Sequence, residues 1–277
     1  MIYIKNYNLI SYGIPGTIQK LWSGYSEMNP SAHTIHHLLE EMGENIVNDH
    51  IAFRTYDIPG IDIESLSKVF REAGYAERGS YTFEKKKLRA KHYEHTEDNL
   101  APKVFISELI TSEFSSLVGE TARMVAESTL KRISDSSELV FALNPWAPPS
   151  YDVYTRLLEE SEYAAWVYVY GFRANHFTIF INYLDKFRDI HSLNAYLKES
   201  GFVLNNSGGE IKGTSEELLM QSSTLADMVE VDFIEGKYSI PGCYYEFAQR
   251  FEDINGKLYS GFIAKSADKI FESTDSR

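Results

Sequence analysis

The feature that most constrains this chain is a pattern written twice. Asn48-Asp49-His50 opens the run Ile51-Ala52-Phe53-Arg54-Thr55-Tyr56, which is rich in β-branched and aromatic residues and closes at Pro59-Gly60. That composition and turn predict a strand. Leu66, Val69, Phe70 and Ala73 then fall at i, i+3, i+4 and i+7, predicting a helix over about 62–73. Gly74 stands where a left-handed C-terminal residue is favoured. Strand candidates follow at 81–84, 88–94 and 103–110. The second copy opens at Ala174-Asn175-His176, where Phe177, Ile179 and Ile181 alternate with His176, Thr178 and Phe180. A helix is predicted over about 187–199, ending at Gly201, with strand candidates near 202–205, 218–223, 228–234 and 242–251. His50 lies 24 residues before Gly74, and His176 lies 25 before Gly201. The match predicts an internal duplication of two β-α-β-β-β units, about 45–110 and 170–251. The expected fold class is α+β, a curled mixed or antiparallel sheet around a pocket with extra helices. Residues 1–277 are read as one catalytic domain.

The remaining segments frame these units. Residues 1–30, with Gly13, Pro15 and Gly16, read as an irregular lead-in. A helix is expected over 31–44, with Asn29 or Ser31 as its cap. Another is expected over 112–133, and Asn144–Pro149 reads as a linker. A helix over 151–165 then leads back to strand-like sequence.

Composition excludes some function classes. With 43% hydrophobic and 24% charged residues, the chain is globular rather than disordered. Its net charge of −13 argues against a nucleic-acid partner, which needs a basic face. It also argues against an anionic membrane surface. No run approaches a membrane span, and the N-terminus lacks a secretory pattern. Cys243 is the single cysteine, so no intrachain disulfide is expected, and it reads as a packed thiol. A cytoplasmic protein is the expectation, with its oligomeric state open.

Pseudo-twofold symmetry would bring His50 and His176 to one centre. Glu246, in Tyr244-Tyr245-Glu246-Phe247-Ala248, is the candidate third ligand, because an unpaired carboxylate is costly among apolar residues. Two imidazoles and a carboxylate suit a divalent metal, and open positions suit Fe(II) with oxygen. The competing reading is a set of hydrogen-bonded core residues. Glu108 is read as standing about where Glu246 does in its unit: a fourth ligand, a relic or a partnered structural carboxylate. Arg54, four residues past His50, shares its strand face at a Cα separation of roughly 13 Å. It could bind the far carboxylate of a small diacid bidentately, or pair with a local acid. Arg250 repeats the spacing after Glu246. His33, His36 and His37 read as a solvated helix face, His92 and His95 as part of a polar stretch, and Lys85-Lys86-Lys87 as a solvated turn. Phe53, Phe180 and Tyr244 are candidate pocket walls.

These residues resemble a known family. Asp49-His50-Ile51-Ala52-Phe53-Arg54-Thr55, Asn175-His176-Phe177-Thr178 and Tyr244-Tyr245-Glu246-Phe247-Ala248 look like motifs of the 2-oxoadipate dioxygenase/decarboxylase family. Gln221-Ser222-Ser223-Thr224 and Ser266-Ala267-Asp268-Lys269-Ile270-Phe271 extend the likeness, which runs from about residue 30 to 275. The resemblance implies a vicinal-oxygen-chelate-like fold with Fe(II) on His50, His176 and Glu246, although Zn(II) or Ni(II) could occupy the same ligands. It implies Arg54 and Ser266 as contacts to the substrate carboxylate remote from the metal. The implied partners are a small 2-oxo acid and O2, and the implied products are a shortened 2-hydroxy acid and CO2. Rival readings are an oxygen-independent isomerase or lyase of glyoxalase type, with Glu108 as base, and a noncatalytic small-acid-binding protein.

Overall fold

The computed structural model describes residues 14–142, 144–146 and 148–263, and Ser266 lies outside them. Two helices, α1 (Ile14–Ser26) and α2 (Pro30–Glu41), precede the first unit. That unit runs β1 (Asn48–Tyr56), α3 (Ile63–Glu72), β2 (Tyr75–Phe83), β3 (Leu88–His95) and β4 (Lys103–Leu109). Helices α4 (Ser116–Leu130), α5 (Tyr151–Glu160) and α6 (Glu162–Tyr170) connect it to the second. The second unit runs β5 (Ala174–Phe180), α7 (Ile190–Glu199), β6 (Lys212–Thr214) and β7 (Leu219–Ser223). A separate hairpin, β8 (Met228–Phe233) and β9 (Gly236–Pro241), is inserted before the last strand, β10 (Glu246–Arg250).

Eight strands form one sheet in the order β2-β3-β4-β1-β5-β10-β7-β6. Each unit places its first strand parallel to its last, β1 beside β4 and β5 beside β10. The two first strands meet antiparallel at the centre. The order reads the same from either edge, so the duplicated β-α-β-β-β architecture is present. Gly74 (φ 94°) and Gly201 (φ 90°) follow α3 and α7 at equivalent points, in the left-handed region that glycine enters without a Cβ clash.

Strand alternation sends one face outward to the helices and the other into the pocket. Outward, Phe53 packs on Phe70 of α3 (ring centroids 5.4 Å apart), and Phe177 packs on Trp22 and Tyr25 of α1. Phe53 is therefore not a pocket wall, because it alternates with His50, Ala52 and Arg54. Phe180 and Tyr244 are buried on or beside the pocket face.

Two helices depart from expectation. Helix α1 occupies the predicted lead-in: Ile18, Leu21, Trp22 and Tyr25 are buried at i, i+3, i+4 and i+7. Pro15 and Gly16 fall in its first turn, where they do little harm. The predicted strand-like sequence after 165 is helix α6, with every residue from Tyr163 to Tyr170 buried. A helix buried all round has no polar stripe to betray its period. Ser161 ends α5 and caps α6, accepting from the Ala164 N–H at 3.2 Å.

Candidate metal centre

His50 on β1 and His176 on β5 face each other across the central seam, with ring centroids 5.4 Å apart. Glu246 on β10 pairs opposite Thr178, two residues past His176. Its carboxylate oxygens lie 3.4 Å from each imidazole Nε2. One ligand atom from each residue falls within 4.8 Å of the others, and all three residues are buried. Among the described residues this is the one His/Cys/Asp/Glu group so arranged.

The residue before each histidine sets its ring. Asp49 accepts from His50 Nδ1 at 2.8 Å, and the Asn175 side-chain oxygen accepts from His176 Nδ1 at 3.0 Å. With Nδ1–H so engaged, Nε2 presents a lone pair to the centre, the usual second layer behind a metal-bound imidazole. Burial lowers the pKa of both rings, His176 the further because at His50 the Asp49 carboxylate opposes part of the fall, so both are neutral.

Glu246 supplies the test of fit. Gln221 donates to its Oε1, but Oε2 is buried with no hydrogen-bond partner. Burial pushes the carboxyl up to about 8. A buried oxygen without a hydrogen-bond partner, 3.4 Å from the His176 Nε2 lone pair, is costly unless a cation joins them. A divalent ion fits this donor set and would hold the carboxylate ionised.

Sheet register overturns the equivalence of Glu108 with Glu246 and leaves the partnered structural carboxylate among its readings. In the second unit Thr178 pairs with Glu246, and in the first the matching residue, Ala52, pairs with Phe105. The fourth corner of the pseudosymmetric site is therefore Phe105. Glu108 lies three residues further on, where its Oε2 accepts from the Ile63 N–H at 3.1 Å and its Oε1 meets Arg89 at 3.0 Å. It is a partnered structural carboxylate at the start of α3. Phe262 completes the apolar corner, its ring 4.9 Å from both Phe105 and His50.

The two arginines lie at opposite ends of the pocket, because β1 and β10 run in opposite directions. Arg54 pairs with Glu162 at the start of α6 (2.8 Å) and lies over the rings of Tyr163 and Trp166 at 5.1 and 5.2 Å. Tyr244 stacks on His176 with centroids 4.7 Å apart. Arg250 does not repeat the role considered for Arg54: it forks onto Asp49 at 2.6 and 2.9 Å. That pairing holds Asp49 far below the usual carboxylate range.

Other histidines also shift. His36 is buried under Trp22, with centroids 4.7 Å apart, rather than solvated. His92 and His95 are buried too, and His92 Nδ1 lies 2.8 Å from the Tyr81 hydroxyl. Cys243 is a packed thiol, pushed up to about 12 by burial. Sequence reasoning missed Glu162, Phe105 and Phe262. It also passed over Asp49 and Asn175, although their place before each histidine was a readable signal.

The family model for 2-oxoadipate dioxygenase/decarboxylase matches residues 16–257. The chloroplastic/amyloplastic 2-oxoadipate dioxygenase/decarboxylase of Oryza sativa subsp. japonica is 37% identical, the match covering 90% of this chain and 75% of that protein. A crystal structure from Shewanella frigidimarina NCIMB 400, provisionally described as a hydrolase, has 46% identity and a TM-score of 0.85, covering 91% of this chain and 98% of that one. The hydroxyglutarate synthase of Oryza sativa, solved in complex with 2-oxoadipate, has 34% identity and a TM-score of 0.84, covering 94% and 91%. This chain, with its duplicated sheet and convergent His50, His176 and Glu246, belongs to the 2-oxoadipate dioxygenase/decarboxylase family.

Proposed function

We propose that the protein is an Fe(II)-dependent dioxygenase/decarboxylase acting on a 2-oxo diacid of the 2-oxoadipate type. The reaction consumes one O2, releases the C1 carboxyl group as CO2 and yields the one-carbon-shorter 2-hydroxy diacid. The observation that carries this reading is the buried His50–His176–Glu246 triangle with Phe105 at its fourth corner. Three protein ligands leave coordination positions for a chelating substrate and oxygen. A four-ligand site would leave fewer.

His50, His176 and Glu246 would hold ferrous iron, which would supply electrons and open coordination positions for O2 beside a 2-oxo acid. The chain's own residues do the rest. Asp49 and Asn175 fix the imidazole rings, so their lone pairs need no reorientation as substrate arrives. Arg54, paired with the local acid Glu162 through Nη1, also receives the carboxylate remote from the reacting carbon. Tyr163 and Trp166 hold its guanidinium in place, which sets which substrate carbon faces the oxidising centre. Phe105, Phe262 and Tyr244 keep water from that centre. Ser266 is proposed as a second contact to the remote carboxylate. The glyoxalase-type reading loses its base, because Glu108 is committed to Arg89 and α3.

The test is oxygen uptake by anaerobically Fe(II)-loaded protein across a panel of 2-oxo acids, with CO2 and product measured together. Uptake matched by CO2 and a 2-hydroxy diacid supports the proposal. Bound iron without uptake on any 2-oxo acid overturns it.

A further inference from the structure

Arg250 is the largest charged group buried beside the centre that the proposed chemistry does not use. It is 1% exposed, and four hydrogen bonds engage its guanidinium. Two go to Asp49, Nε to Oδ2 at 2.6 Å and Nη2 to Oδ1 at 2.9 Å. Two go from Nη1 to the backbone carbonyls of Tyr259 (3.1 Å) and Gly261 (2.7 Å). Its flat face lies 5.2 Å from the Phe262 ring, which meets the His50 ring edge-on. The same Asp49 Oδ1 that takes one of these bonds also accepts from His50 Nδ1. One planar cation thus touches both things that hold His50: the carboxylate behind it and the segment packed against its ring. A lysine is a point charge and cannot span a carboxylate fork and two carbonyls together.

We propose that Arg250 is a positioning residue for the metal centre, orienting His50 through Asp49 and seating the Tyr259–Phe262 segment against the same imidazole. The inference rests on the metal-centre reading. Two consequences follow. Metal affinity depends on Arg250, although it is not a ligand. By linkage, metal binding also tightens the seating of Tyr259–Phe262 as much as that seating tightens the metal.

The experiment uses the full chain and Co(II), whose visible spectrum reports ligand geometry. Dissociation constants come from competition with a chromophoric chelator. Arg250→Lys is expected to weaken Co(II) about 10–100-fold, to shift its visible bands and to speed chymotrypsin cleavage at Tyr259 or Phe262. Metal should slow that cleavage in the unsubstituted protein and lose most of this effect in Arg250→Lys. A mutant cycle of Asp49→Asn, Arg250→Met and the double variant isolates the route. If Arg250 acts through Asp49, the double variant loses no more affinity than the worse single one. If a single variant of the cycle fails to fold, Arg250→Lys, which keeps the charge, still decides through affinity, spectrum and cleavage. Affinity within twofold and an unchanged spectrum in Arg250→Lys, or additive losses in the cycle, would overturn the proposal. Failure of the unsubstituted protein to bind Co(II) would instead overturn the metal centre itself.

Discussion

Replacing Glu246 by glutamine is expected to raise metal-free stability and to abolish the stabilisation that metal brings. In the metal-free protein Glu246 is fully buried, and its Oε2 has no partner. Both carboxylate oxygens lie 3.4 Å from imidazole nitrogens whose lone pairs face them. Glutamine keeps an acceptor for Gln221 and offers an NH2 group to the His176 lone pair, while the His50 lone pair already meets the Thr178 hydroxyl at 3.1 Å. Satisfying one buried orphan is worth about 1–3 kcal/mol. At roughly 2–4 °C per kcal/mol for a chain of this size, the metal-free Tm rises by about 2–12 °C. The unsubstituted protein instead gains about 2.7 kcal/mol when the metal reaches a hundred times its Kd. That is a further Tm rise of roughly 5–11 °C, and glutamine should abolish it. Thermal melts of chelator-treated protein above pH 8, where the Glu246 carboxyl is ionised, with and without Mn(II) or Co(II), read both numbers. A lower metal-free Tm in the variant, or a metal-induced rise that survives in it, would refute the reasoning.

Other substitutions test separate parts of the account. Arg54→Ala should retain the metal-induced Tm rise yet lose about 3–4 kcal/mol in kcat/KM for diacids, on the order of 10²–10³-fold; unchanged diacid kinetics would remove Arg54 from substrate binding. Glu108→Gln should leave oxygen uptake within about twofold while costing about 0.5–2 kcal/mol at the start of α3, measured by urea unfolding. Loss of turnover there would restore it as a base. Trp22→Ala should cost about 3–5 kcal/mol, because its ring packs on Phe177, Tyr245 and His36; a loss below about 1 kcal/mol in the same assay would mean that α1 does not dock as described.

The site strands were legible because a period of two and a repeated His-to-Gly spacing survive divergence. His50 and His176 could be matched by counting along the chain, since a helix and a glycine cap follow each at nearly equal distance. The position opposite Glu246 could not, because it depends on register. The β8–β9 hairpin lengthens the second unit before β10, and β1 carries irregularities in its pairing with β5. Counting therefore pointed to Glu108, and pairing points to Phe105. Burial was misread where the covering element was missed. His36 sits beside Glu40, as a surface residue would, but Trp22 of the unforeseen α1 lies over it. Phe53 was placed in the pocket for being aromatic, although its odd offset from His50 already put it on the other face. Arg250 shared the spacing of Arg54, but only the three-dimensional fold brings Asp49 to it across 201 residues.

The most direct test of the central claim is the fate of labelled oxygen. Fe(II)-loaded protein and 2-oxoadipate are mixed under ¹⁸O2, and the products are analysed by mass spectrometry. The account predicts a 2-hydroxyglutarate carrying both labelled atoms, one in the carboxylate newly made from the keto carbon and one in the hydroxyl, with one CO2 released per O2 consumed. A product bearing no label, or a rearranged product formed equally well without oxygen, would contradict it.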